Sequence, residues 1–246
     1  MEEDDNFWFV YLMPWDDSQG NFLFRGILMQ QEKKFDVKQL VLLAVFTALA
    51  YTAVCLIRIP AVVFLKYEPK DVIIVMGGLI LGPLASLIIS FVTALLEMVT
   101  ISETGPIGGI MNLLSSVCYA CTAALVYKNK RTLAGAVTGL TLGSIAMVAV
   151  MLLWNWLITP LYMGVERDAV IGMLVPVFLP FNAVKALLNS ALVLCLYKPL
   201  ITALRKARLV PAPSKSEGGF KFGLYILSVM VLATGILMLL VLQGKL

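Results

Sequence analysis

Histidine is absent from this 246-residue chain. That absence excludes a Ser-His-Asp triad, histidine-ligated metals and HExxH chemistry together. A GxxxxGK[ST] phosphate loop is also missing, so the chain is not expected to hydrolyse a nucleotide by itself, and any energy source must lie elsewhere. Charge is scarce: 14% of residues are Asp, Glu, Lys or Arg, against 60% hydrophobic, and the mean hydropathy is +0.92. Such values exclude an ordinary soluble domain and point to a polytopic membrane protein. No basic patch carries interleaved aromatics, so nucleic acid is not an expected partner. The four cysteines, Cys55, Cys118, Cys121 and Cys195, fall within apolar stretches and read as small packing residues. The CYAC pair at 118 to 121 lacks the second pair that a structural metal site needs.

What the chain does have is long apolar runs. An α-helix needs roughly 20 apolar residues to cross a bilayer core of about 30 Å, and the short alternating strands of a transmembrane barrel are not evident. The runs are Val37 to Ile57, Val72 to Leu81, Leu84 to Ile101, Ile107 to Tyr127, Leu133 to Thr159, Val175 to Leu204 and Phe220 to Leu242. They predict seven helices, six plus one. The second run is short, and only Gly82-Pro83 separates it from the third, which predicts a tight turn and a bent hairpin. Residues 1–28 are acidic, aromatic and aperiodic, without the basic start and apolar centre of a signal peptide. They read as an extension, loosely ordered or the product of an over-early start codon. Residues 29–209 make the membrane domain, 210–219 a Pro/Ser/Gly linker, and 220–246 an extra C-terminal transmembrane helix.

Lysine and arginine set the expected orientation. One side of the membrane receives Lys33, Lys34, Lys38, Lys128, Lys130, Arg131, Lys198, Arg205, Lys206, Arg208, Lys215 and Lys221. The other receives Arg58, Lys66, Lys70, Arg167 and Lys245. By the positive-inside rule the amino terminus is cytoplasmic, and the loops at 58–71, 102–106 and 160–174 face outward.

Within the apolar stretch FNAVKALLNS, Lys185 stands out. A charge near the middle of a membrane helix costs roughly 2.5 to 3.5 kcal/mol on insertion scales, so it normally faces a protein interior or a cavity. Asn182 precedes it by three residues and Asn189 follows by four, which puts all three on one helical face. Pro176 and Pro180 interrupt backbone hydrogen bonding just before, so the helix is expected to open at its outer end. Two uses of the stripe remain open: hydrogen bonds to neighbouring helices, with a Lys185 to Glu97 ion pair as the sharpest form, or a ligand site that includes Glu97. The loop FLKYEPKDV at 64–72 and the segment WNWLITPLYMG at 154–164 bring further aromatics, charges and Asn155 to the same surface. Trp156 and Tyr162 read as interface anchors. Aromatic walls with amide and ammonium donors suit a flat, uncharged ligand bearing ring carbonyls and nitrogens. Two small-residue faces, Ala44/Ala48/Thr52 and Gly135/Gly139/Gly143, are expected to serve internal helix packing.

Five segments carry a family resemblance: AVFTA in the first helix, FLKYEPKDVIIVMGG after it, TGPIGGIMN at 104–112, NWLITPLYMG at 155–164 and NAVK at 182–185. On these, residues 30–209 resemble the riboflavin-specific S-components of energy-coupling factor (ECF) transporters. The resemblance implies an all-α integral membrane protein: a six-helix transmembrane S-component bundle, here with an additional C-terminal transmembrane helix. It implies a non-enzymatic protein of a bacterial cell membrane that binds riboflavin, holds no covalently bound cofactor, and meets ATP only through a coupling subunit and two ATPase subunits. By position, the loop residues Leu65, Lys66 and Tyr67 would close over the ligand. Asn182 and Lys185 would bond the isoalloxazine ring, Asn155 is similar to the asparagine that family members offer from the fifth helix, and Ala44 and Ala48 would contact the coupling subunit; Glu97 joins the expected substrate-binding residues as the carboxylate placed within a membrane span. The alternatives are an S-component for another vitamin and a self-sufficient secondary transporter in which Glu97 and Lys185 relay protons.

Overall fold

Apolar runs without interior breaks fold into helices because lipid cannot satisfy a backbone N–H or C=O. A computed structural model of the chain describes residues 36–62, 64–102, 105–129, 131–209 and 222–243, so residues 1–28 and the linker at 210–219 lie outside the described residues. Within the unit that begins at Val37, α1 (Val37–Leu56) leads into a two-stranded antiparallel ribbon, β1 (Ile59–Val62) and β2 (Leu65–Tyr67). Then come α2 (Lys70–Leu81), α3 (Pro83–Thr100), α4 (Gly105–Asn129), α5 (Leu133–Met163), α6 (Arg167–Met173), a π-helical turn over Leu174–Phe178, α7 (Leu179–Lys206) and α8 (Phe222–Leu242).

Among the described residues five helices are long and apolar enough to cross a membrane, with Arg167–Lys206 counted as one. The second and the C-terminal predicted spans are not among them, the latter counting only as a shorter apolar helix over Ser228–Met238. At 1.5 Å per residue the twelve residues of α2 reach only about 18 Å, well short of the hydrocarbon core. Nine of the twelve are buried, charged Lys70 and Asp71 included, and α2 touches α1, α3, α4 and α7. It is a central strut sheltered from lipid. The expected tight turn follows it: Gly82 takes φ of 106°, open to glycine and strained for other residues, and Pro83 starts α3.

Core packing runs along this strut. Phe46, Ala50, Ile74, Val75, Ile89, Tyr119, Leu140 and Met147 form one buried cluster. The glycine face of α5 packs inward as expected. A Cβ on Gly139 would lie 2.7 Å from the Ala123 carbonyl oxygen, and one on Gly143 would lie 2.6 Å from that of Tyr119, so α4 and α5 meet backbone to backbone. The alanine face of α1 does not. Ala44, Ala48 and Thr52 are exposed, because α1 turns Leu42, Phe46, Ala50 and Val54 to the core instead.

Candidate ligand-binding site

The site grows from the irregular start of the Arg167–Lys206 helix. Pro176 and Pro180 offer no N–H, and the chain passes them in a wide turn, closed by the Leu179 N–H bonding to the Leu174 carbonyl. One turn on, Asn182 Nδ2 donates to the Phe178 carbonyl at 2.8 Å. Lys185 follows on the same face, with its side chain 7% exposed.

The buried ammonium is neutralised, though not by the residue the sequence suggested. Lys185 Nζ lies 3.0 Å from Asp71 Oδ2 in the first turn of α2, and it also donates to Ser115 Oγ on α4 at 3.4 Å. Asp71 accepts further bonds from Ser116 Oγ at 2.5 Å and Asn189 Nδ2 at 3.4 Å. Asn189 in turn accepts from the Tyr67 hydroxyl at 3.1 Å. Burial, with the nearby Asp71 carboxylate, pushes the Tyr67 phenol above its ordinary range, so Tyr67 stays a neutral donor.

Glu97 belongs to a second cluster. It accepts from Lys70 Nζ, from Arg58 Nη2 at 3.2 Å and from Asn112 Nδ2 at 2.6 Å. Arg58 and Lys70 also hold Glu68, at 3.1 and 2.9 Å, and Arg58 Nη1 donates to the Ile101 carbonyl at 2.8 Å. The two ends of the β1–β2 ribbon, Arg58 before it and Glu68 after it, are thus tied to each other and to α3. A buried charge of either sign is stable only when paired and hydrogen-bonded, and both clusters meet that condition.

Between the clusters lies a cavity of about 280 Å³, at the lower edge of the roughly 300 to 1,000 Å³ common for small-molecule sites. The ribbon contributes Phe64, Leu65 and Lys66; α3 and α4 contribute Glu97, Asn112 and Ser115; α5 contributes Met151, Asn155 and Tyr162; α7 contributes Phe181, Asn182 and Lys185. Phe64 clamps the ribbon down through an edge-on contact with Tyr162, 5.4 Å between ring centres, and a tilted one with Phe178 at 6.2 Å. A chamber whose walls mix aromatic and aliphatic side chains with several fixed amide, ammonium and carboxylate groups binds a ligand by shape and orientation.

Residues 38–197 match the family described as "ECF transporter, substrate-specific component". The chain belongs to that family. Curated relatives include the riboflavin transporter RibU of Staphylococcus aureus (strain TCH60), 28% identical over 191 residues that cover 74% of this chain and 97% of that protein. A second is the riboflavin transporter FmnP of Bacillus subtilis (strain 168), 26% identical over 187 residues, 70% of this chain and 98% of that one. Among solved structures, the S component of a bacterial ECF transporter aligns with a TM-score of 0.59 at 28% identity, covering 68% of this chain and 98% of that chain. The chain is a membrane transport component and not an enzyme.

In this S-component, Leu65, Lys66, Glu97, Asn155, Asn182 and Lys185 line one cavity. Tyr67 is not on that lining. It shares the buried face of β2 with Leu65 but sits two residues further along, about 7 Å past it, and meets Asn189 beyond the cavity. The suggested Lys185 to Glu97 pair is replaced by Lys185 to Asp71, and Glu97 is occupied by Arg58, Lys70 and Asn112. Tyr162, read as an interface anchor, is instead a wall of the cavity, whereas Trp156 is 38% exposed beneath the Arg167 guanidinium. Arg58, Asn112 and Ser115 went unnoticed in the sequence. Arg58 follows one apolar run and Asn112 and Ser115 lie within another, Asn112 at the end of TGPIGGIMN, and isolated polarity there does not tell a cavity wall from a helix-packing contact.

Proposed function

We propose that this S-component captures riboflavin from the outside of a bacterial cell membrane and delivers it inward by docking on an ECF coupling subunit driven by two ATPase subunits. The amino terminus is cytoplasmic in this reading, which turns the cavity and its ribbon outward, in keeping with the lysine and arginine distribution. One observation carries the proposal: in a chain whose curated relatives are named riboflavin transporters, Asn155, Asn182 and Lys185 line one cavity beside the aromatic-pinned ribbon. Lys185 spends its ammonium on Asp71 and Ser115 at 3.0 and 3.4 Å, and a third donor direction serves a ring carbonyl or nitrogen. Asn182 and Asn155 both anchor Nδ2 to their own helices; the Asn182 amide oxygen is presented to flavin imide or hydroxyl protons, and that of Asn155, which already accepts from Thr159 Oγ1 at 2.9 Å, offers its second lone pair. Leu65 and Lys66 close over the ring, Glu97 borders the polar ribityl end, and Tyr67 stiffens the lid from behind.

The secondary-transport alternative asks Glu97 and Lys185 to exchange a proton, yet each is held in a different ion cluster. Purification in detergent provides the test. A yellow, fluorescence-quenched flavin should travel with the protein at about one per chain, and a colourless preparation that fails to quench added riboflavin overturns the reading.

A further inference from the structure

The helix α8 lies beyond the family match, which ends at residue 197. A plain membrane anchor would pack on its neighbour and stop there. This one packs along α7, where Gly235 lies so close to Leu188 that an added Cβ would come within 2.6 Å of its side chain, and then continues to the ribbon. Leu232 and Ile59 of β1 pack against the same buried group, Tyr67, Val184 and Leu188. Just past the end of α8, the Gln243 side-chain amide donates to the backbone carbonyl of Pro60. Pro60 sits in β1, opposite Lys66 of the cavity lining. The other polar side chain described on the outer half of α8, Thr234, spends its hydroxyl on its own helix at Met230, so Gln243 is the group that α8 directs at the ribbon.

We propose that α8 is a built-in latch on the β1–β2 ribbon, holding it closed over the cavity and slowing ligand exchange. To leave the cavity the ribbon must lift away from Phe178 and Tyr162, and that movement also breaks the Gln243 to Pro60 bond and slides Ile59 off the cluster shared with Leu232. The ribbon is also held by Arg58 and Glu68, which lie at its two ends and act as hinges, and by the Tyr67 hydroxyl bonded to Asn189 behind β2. A contact on the strand itself therefore resists opening more directly than one at the hinge. The latch rests on the reading of the cavity as a flavin site, and its test separates the two.

Full-length protein, the Gln243→Ala variant and a chain ending at Leu209 are compared in detergent by stopped-flow release of riboflavin and by amide hydrogen exchange at residues 59–67 without ligand. Loss of one hydrogen bond predicts about five-fold faster release in Gln243→Ala, at least that in the truncated chain, and faster exchange of the ribbon in both. Release and exchange within two-fold of the full chain in Gln243→Ala overturn the latch, and this point variant decides even if the shortened chain fails to fold. If no form binds riboflavin but ribbon exchange still quickens, the latch stands and the flavin reading falls.

Discussion

A lysine in a membrane helix is tolerated only with a partner, and the identity of that partner changes what its removal does. Lys185 is paired with Asp71, which is completely buried and further bonded by Ser116 and Asn189. Lys185→Met therefore strands a carboxylate, and breaking a buried pair from one side costs about 3 to 5 kcal/mol. Adding Asp71→Asn removes the orphaned charge while keeping an acceptor oxygen for Asn189 Nδ2 and an N–H that the Ser116 hydroxyl can accept, so the double variant should regain most of that loss. Flavin binding should not return, because the ring still lacks its charged donor. Thermal unfolding and fluorescence-quench titration of the three proteins check both halves: recovery of stability and binding together would make the lysine purely structural. From the sequence, the need for a partner was legible in FNAVKALLNS, but its identity was not. Asp71 and Lys185 are 114 positions apart in numbering, and which carboxylate meets the ammonium depends on how α2 and α7 are set against each other, a relation that no local pattern encodes.

At the scale of elements, hydrophobic runs located the helices well because lipid forces every buried backbone group into an internal bond. They misjudged α2, since an apolar run reports burial without saying whether the burying medium is lipid or protein. The small-residue faces show the same limit. Both the α1 and α5 patterns read as packing surfaces, yet only Gly139 and Gly143 are pressed against a neighbouring backbone. A test at this scale is Gly143→Ala. The new methyl would sit 2.6 Å from the Tyr119 carbonyl oxygen, a backbone atom that can retreat only by moving α4. Overpacking of this kind costs about 1 to 3 kcal/mol. The variant should unfold at lower temperature while the molecules that remain folded bind flavin with unchanged stoichiometry, and an unaltered melting temperature would show that the helix pair has slack. The ribbon was read from FLKYEPKDV as a loop that closes over the ligand. Its strand pairing and its pinning by Phe64 arise from Tyr162 and Phe178, far along the chain.

For the molecule as a whole, transport requires a surface that belongs to no internal contact. The outer ridge of α1 has that character: Ala44, Ala48 and Thr52 form a narrow furrow, flanked by Val41, Val45 and Leu49 at 53%, 47% and 51% exposure. Single apolar residues facing lipid are unremarkable in a membrane protein, but a furrow of small residues lets another helix approach closely where lipid chains gain nothing from it. No residue of α1 lines the cavity, and Arg58, which does, lies two residues past its end, so docking and ligand capture can be separated by mutation. Ala48→Trp fills the furrow without entering the core. It should leave riboflavin affinity within about two-fold of the native protein while abolishing co-purification with the coupling subunit and ATP-driven uptake into vesicles, since a protruding indole holds the partner helix several ångströms away. Ala48→Ser, which keeps the furrow open, should retain both. Intact co-purification in the tryptophan variant would move the docking face elsewhere on the bundle, and lost flavin binding would mean that α1 supports the cavity through its position as well as through Arg58.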